Sequence, residues 1–193
     1  MPDCQTMEPL FYSFVQTVHG YCALLWHHNE KGRRRLLRLY SACPDHRALL
    51  RGIHDEYPTT DAIHSDLPSW LKPVRRFLLA YYSGDRDAAA RAQLSWPWLQ
   101  EHLYWAGQTE FGHKVLAATF AIKPGTTLSY GKLARQIGRP NAARAVGGAL
   151  ARNPWPVIIP CHRVLGSDGS MTGFSGYGAV KAKKWMLKME REA

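Results

Sequence analysis

Between residues 11 and 41 the apolar positions come in short β-prone runs, FYSFVQTV, YCALLWHH and RRRLLRLYS, broken by Gly20 and by the polar NEKG at 29–32. Runs rich in aromatic and branched residues between such breakers read as strands, so a β-meander or hairpin is expected here. The spacing then changes. Leu49, Leu50 and Ile53 follow Pro44 and Asp45 at helical intervals, and Trp70, Val74, Phe77, Leu78 and Tyr81 repeat the pattern, which predicts two helices after the sheet. Residues 84–108, with SWPWLQEHLYWAG, show no clean period and are expected to be an irregular connection between a first domain, 1–106, and a second, 107–193. No internal repeat or low-complexity block interrupts either half.

The second half is helical by pattern. FGHKVLAATFAIKPG predicts a helix stopped by Pro124 and Gly125, and TTLSYGKLARQIG another, capped by Ser129 with Leu133, Ala134 and Ile137 inward. GRP then turns the chain, and Asn141 is positioned to cap NAARAVGGALARN. Helix, tight turn and helix succeed one another as in a helix-turn-helix, a pattern many unrelated helix pairs share. Gly147 and Gly148 stand inside the second of these helices, where each costs about 1 kcal/mol relative to alanine. Something is expected to approach that backbone closely: a neighbouring helix, or a nucleic-acid surface with Arg144 and Arg152 reaching out of it.

Composition narrows the class. A hydrophobic content of 46% over 193 residues excludes a disordered chain. No stretch nears the roughly 18 apolar residues of a membrane span, and MPDCQTMEPL is no secretory leader. Cys4, Cys22, Cys43 and Cys161 are too scattered for a disulfide framework, so free thiols in a reducing compartment are expected, cytoplasmic or, in a eukaryote, nuclear. The net charge of +10 is unevenly held. Residues 1–106 carry 12 Lys and Arg against 11 Asp and Glu, whereas 107–193 carry 13 against 4. Such segregation points to a polyanion, most simply nucleic acid, as partner of the second half.

The chemistry concentrates in VIIPCHRVL, residues 157–165, where an apolar run and a proline precede adjacent Cys161 and His162. A thiol attacks as thiolate, and reactive cysteines commonly borrow a histidine or a positive field such as Arg163 would give. Neighbours on a regular strand point to opposite faces, but Pro160 ends a strand and could bend both side chains towards one pocket. An inert core thiol stays open as the alternative.

NPWPVIIPCHRVLGSDGSMTGFSGYG and TTLSYGKLARQIGRPNAARAVGGALARNP together resemble the O6-alkylguanine-DNA alkyltransferases over about residues 107–190, through PCHRV, SYG, RAVGGA and the NP that opens the active-site strand. The resemblance implies an α+β fold: a ribonuclease-H-like N-terminal domain, similar here in layout only, then a helical C-terminal domain whose helix-turn-helix binds DNA in the minor groove. It implies an irreversible, single-turnover transfer of an alkyl group from O6 of guanine, and O4 of thymine, to Cys161. No metal or cofactor takes part, and the partner is double-stranded DNA containing O6-alkylguanine, met by a monomer. His162 would take the thiol proton through a water, Glu190 orient the imidazole, and Tyr130 donate a proton to the departing guanine. Arg144 would fill the gap left by the flipped nucleotide. Arg135, Ala143, Gly147 and Arg152 complete the implied DNA surface. Asn153 matches the hinge, the carbonyls of Cys161 and Val164 would read the guanine amino group, and Pro156, Phe174 and Ser175 would line the pocket, with GSDGSMTGFSGYG as its wall.

Several positions depart from the family's pattern. Gly112 stands where glutamine is usual, Leu116 where tryptophan is common, Phe174 lacks a tyrosine hydroxyl, and Trp155 adds bulk beside the pocket. GYGAVKAKKWMLKME is two residues longer than usual before Glu190. Some relatives hold zinc in the first domain, but Cys4, Cys22, His27 and His28 lack zinc-finger spacing, and no metal is expected. The glycine-rich stretch has neither the strand-turn-helix context nor the lysine of a nucleotide loop. Rival readings are a lesion sensor without chemistry, a DNA-binding regulator and a thiol hydrolase.

Overall fold

The computed structural model describes residues 10–28, 32–58, 62–171 and 179–192, and the chain forms two compact units, Met1–Gly107 and Gln108–Ala193. In the first unit, strands β1 (Leu10–Thr17), β2 (Gly20–His28) and β3 (Arg34–Cys43) form an antiparallel meander. Gly20 makes the first turn possible. Its φ is +112°, and an added Cβ would collide with the carbonyl of Cys43. Strand β2 is buried almost from end to end because both of its faces are covered. On one face, Ala23 and Leu25 pack with Leu49 and Ile53 of helix α1 (His46–Glu56), which Asp45 caps by accepting from the Arg47 amide. Leu50, expected inward, is only half-buried. A short strand β4 (Ile63–His64) runs parallel to β1, giving the order β3-β2-β1-β4.

A single 3-10 turn at Ser69–Leu71 leads into α2 (Lys72–Tyr82), which buries Val74, Phe77, Leu78, Tyr81 and Tyr82. Residues 22, 24 and 26 of β2 point away from α1; there Tyr82 bonds Cys22, and Trp70 stands edge-on to Trp26. The segment expected to be irregular is largely helical. Asp85 caps α3 (Arg86–Arg91), and Ser95, with Pro97 in the first turn, caps α4 (Trp96–His102). These are ordinary helix starts, hidden in the sequence because α3 is short and lacks an apolar period and α4 is crowded with aromatic residues. The chain then lies beside β3, where the Tyr104 amide donates to the Leu36 carbonyl at 2.9 Å.

The second unit begins with α5 (Glu110–Phe120), capped by Thr109 and ended ahead of Pro124. A two-residue strand β5 (Leu128–Ser129) precedes α6 (Tyr130–Gln136), and Ser129 accepts from the Lys132 amide as its cap. After the turn at Gly138, α7 (Ala143–Ala151) crosses α6 as the second helix of a helix-turn-helix. Asn141 does not cap α7: the helix follows Ala142 without a side-chain cap, and the turn is closed by backbone bonds from Arg139 to Ala134 and Ala142 to Arg139. Leu133 and Ala134 of α6, Val146, Ala149 and Leu150 of α7 and Val115, Leu116 and Thr119 of α5 are all buried where the three helices pack together, with Ile137 half-buried. Strand β6 (Val164–Leu165) pairs in parallel with β5, and α8 (Ala179–Glu192) completes the unit. The class is α+β as expected. Among the described residues, no helix is long and apolar enough to cross a membrane.

Candidate active site

The apolar run ahead of Cys161 is not a strand. Pro156 and Pro160 supply no amide protons, and Val157 adopts φ +72°, so the segment folds into a turn with one bridge between Pro156 and Ile159. Asn153 holds it closed. Its side chain donates to the Ile159 carbonyl at 2.9 Å and accepts from the Trp155 amide at 3.0 Å, while the Ile159 amide returns to the Trp155 carbonyl. A branched residue in the left-handed region costs on the order of 1–3 kcal/mol, sustained only where surrounding bonds over-determine the turn. Cys161–Arg163 then form a single 3-10 turn leading into β6. That turn, rather than a strand end, is what carries Cys161 and His162.

Cys161 is 8% exposed and His162 fully buried. Nε2 of His162 lies 2.8 Å from Oε1 of Glu190, which is itself 2% exposed on the last turns of α8. Arg163 forks onto the same carboxylate, with Nε 2.9 Å from one oxygen and a terminal nitrogen 2.9 Å from the other; its remaining arm donates to the Ile122 carbonyl at 2.6 Å. The Gly125 amide adds a bond of 3.1 Å to Glu190. Gly125 has φ +74°, and a Cβ there would press on the Glu190 carbonyl at 3.0 Å. The turn expected only to stop a helix is therefore part of the site. Lys183, two turns earlier on α8 and 1% exposed, donates to the Val164 carbonyl at 2.7 Å. Burial works to raise the Glu190 pKa, but the bonds from His162 and Arg163 hold it well below the usual carboxylate range. Burial pushes the Cys161 thiol up, opposed by a bond from Asn153 and by the Lys183 charge. Burial also holds the His162 imidazole and the Lys183 ammonium below their ordinary values. Both directions favour the uncharged forms of Cys161 and His162.

Tyr130 opens α6, immediately after the cap residue that pairs with β6, so the two-residue β5–β6 ladder ties it to the cysteine turn. It is half-buried, and burial together with Cys161 raises its phenol pKa. Its ring faces Gly147 of α7, where an added Cβ would sit 3.8 Å away. Neither Gly147 nor Gly148 is required by packing inside this unit, since a methyl at either would make only ordinary contacts. Arg135, Arg144 and Arg152 are exposed on α6, α7 and the residue after it, and Ala143 is half-buried. Asn153 and Val164 are buried beside the cysteine turn, and Pro156 is half-buried within it. Trp155, expected to add bulk beside a pocket, is fully buried. Phe174 and Ser175 lie outside the described residues, as does most of the glycine-rich wall; its beginning, Gly166–Ser170, is a tight turn. Gly112 is buried under the Thr109 and Gln108 side chains, and Leu116 is buried in the helical core.

Cys4 also lies outside the described residues, and Cys22 is a core thiol whose pKa burial pushes up to about 12. Among the described residues no three His, Cys, Asp or Glu side chains gather as metal ligands. Arg163 as a partner of Glu190, Gly125 and Lys183 were not foreseen as site residues. One signal existed. Lys183 and Glu190 are seven apart with Met186 and Leu187 between them, so a helix that buries the two apolar residues also buries both charges.

Residues 110–192 match the family described as 6-O-methylguanine DNA methyltransferase, DNA binding domain. The methylated-DNA–protein-cysteine methyltransferase of Salmonella typhimurium is 48% identical over 84 residues, 44% of this chain and 48% of that one. The aligned chain thus spans about half the length of that relative. Similarity to solved structures runs further. The crystal structure of Mycobacterium tuberculosis OGT in complex with DNA is 30% identical, with a TM-score of 0.64 over 94% of this chain and 92% of that one.

This chain belongs to the methylated-DNA–protein-cysteine methyltransferase family. A more distant structural relative, the O6-methylguanine-DNA methyltransferase from Pyrococcus kodakaraensis, is 26% identical with a TM-score of 0.61 over 94% of this chain and 98% of that one. The match to the family's DNA-binding domain, residues 110–192, falls within the unit holding the cysteine turn and the helix-turn-helix.

Proposed function

We propose that this chain repairs DNA by moving an alkyl group from O6 of guanine, or O4 of thymine, onto Cys161. The observation that carries the reading is the buried His162–Glu190 pair beside the cysteine turn, in the unit that also holds the helix-turn-helix. Sulfur attacks the alkyl carbon, the S–C bond forms as the C–O bond breaks, and the electron pair leaves with the base. His162 accepts the thiol proton through a water, Glu190 stabilises the imidazolium, and Tyr130 donates to the departing guanine. Burial favours the neutral thiol, so proton removal accompanies attack. The product is a thioether that no group in the chain can cleave, so each molecule acts once.

The DNA surface in this reading comprises Arg135, Ala143, Arg144, Gly147 and Arg152, with Arg144 replacing the extruded nucleotide in a monomeric complex with duplex DNA. Asn153, Pro156 and Val164 border the guanine, and residues 107–193 carry both binding and chemistry. The exposure of the three arginines and the charge of the second unit support this assignment, as do the names of the relatives. The test is intact-mass measurement after mixing with a duplex containing O6-methylguanine. The expected outcome is a gain of one methyl group on the peptide holding Cys161, lost in Cys161→Ala while that variant still binds DNA. Binding without any mass gain in the parent chain would refute the transfer.

A further inference from the structure

Glu190 sits beside His162 as a buried, ionised carboxylate, and an ionised carboxylate alone would favour a charged imidazole. A histidine already carrying its proton cannot take another from a thiol. The structure contains the remedy on the same turn. Arg163, also buried, spans both carboxylate oxygens with Nε and a terminal nitrogen, and its third donor is fixed on the Ile122 carbonyl at the end of α5. The carboxylate therefore meets a full positive charge in bidentate geometry, the strongest pairing available to it.

We propose that Arg163 is a positioning residue for the transfer: it neutralises Glu190 and fixes its orientation, so that His162 stays uncharged until the thiol proton arrives. The inference rests on the reading of His162 as proton acceptor. Among the described residues, the charged groups acting on the imidazole are Arg163 on its own turn and Glu190 and Lys183 on α8, with the Cys161 thiol next to it in sequence; the end of α5 contributes the Ile122 carbonyl that anchors Arg163. Of these only Glu190 favours the imidazolium. Removing Arg163 leaves that attraction opposed by burial and by Lys183 alone. A guanidinium that merely stabilised the fold would, when removed, lower the melting temperature without changing when the imidazole titrates.

The experiment uses full-length protein with isotopically labelled histidine, the His162 ring resonances being assigned by their loss in His162→Gln. Ring titration by NMR and single-turnover transfer rates are followed across pH for each variant. In the parent, His162 is expected to be uncharged at pH 7; finding it protonated there would overturn the proposal without any variant having to fold. Arg163→Met is expected to raise its proton affinity about tenfold or more, one pH unit, with the rate at neutral pH falling in parallel and recovering as pH rises. Arg163→Lys keeps the charge and is expected to keep the parent's midpoint while losing rate through poorer orientation. Arg163→Met combined with Glu190→Gln should return the midpoint towards the parent's. A midpoint in Arg163→Met equal to the parent's, or one in Arg163→Lys displaced as far as that of Arg163→Met, refutes the neutralising role. If His162→Gln transfers as fast as the parent, the proton-acceptor reading fails and takes this inference with it. If His162→Gln is inactive and the midpoint does not move in Arg163→Met, this inference fails alone.

Discussion

Glu190 is the residue on which most of the buried polar network converges, and its removal should be felt in stability as well as in rate. Glu190→Gln leaves the Arg163 guanidinium buried without a counter-charge, for which about 3–5 kcal/mol is expected. Urea unfolding at pH 7 measures it. The pH dependence has a definite sign. The folded carboxyl lies far below its unfolded value of 4.5, so its contribution is present above that pH and is lost as pH falls below it. His162 acts from the same side: held below 6.5 in the folded state, it costs stability as the unfolded imidazole gains its proton below that pH. Glu190→Gln should therefore flatten the acid limb of the stability curve below pH 4.5, and an unchanged limb would contradict the assigned pairing. Motifs and a family resemblance point to Cys161, His162, Tyr130 and Glu190 in the chain, and the structure brings His162 and Glu190 together beside Cys161. Arg163 and Lys183 were not legible, because a lysine or arginine in sequence reads as solvent-facing until the register of α8 and the turn before β6 is known.

At the scale of elements, α7 poses the clearest question. An alanine at Gly147 or Gly148 would meet only the Tyr130 ring at 3.8 Å or the Arg152 side chain at 3.7 Å, both ordinary contacts. Removing a glycine from a helix interior stabilises it by about 0.5–1 kcal/mol. Gly147→Ala and Gly148→Ala are therefore expected to hold or raise the melting temperature while weakening duplex binding about tenfold, measured by fluorescence anisotropy. Unweakened binding would mean that DNA does not lie against this helix. The same scale shows where reading by pattern failed. VIIP looks like a buried strand by composition, yet two prolines and a left-handed valine make it a turn. In residues 84–108, α3 is six residues long with no apolar period, and aromatic residues crowd α4, so neither stood out although Asp85 and Ser95 were in place as caps. The meander was readable from its β-prone runs between breakers, and α1, α2 and the helix-turn-helix from apolar residues recurring at helical spacing.

For the molecule as a whole, charge separates the two units: 13 Lys and Arg against 4 Asp and Glu in residues 107–193, and near balance before them. Duplex affinity should accordingly fall with salt, and each phosphate contact removed should reduce the slope of log affinity against log salt by about 0.9. Arg135→Ala, Arg144→Ala and Arg152→Ala are each expected to do so, whereas Arg47→Ala and Arg75→Ala, exposed in the first unit, should leave the slope unchanged. Equal effects in both units would disperse the binding surface over the whole chain.

Burying Lys183 against the Val164 carbonyl also gives the protein an internal reporter. An amine-reactive label applied to the folded chain should modify the exposed Lys181, Lys184 and Lys188 and spare the residue between them. Reagent found on Lys183 then registers α8 lifting from the cysteine turn, so mass spectrometry of one tryptic region would time the opening of the site without a probe being engineered into it.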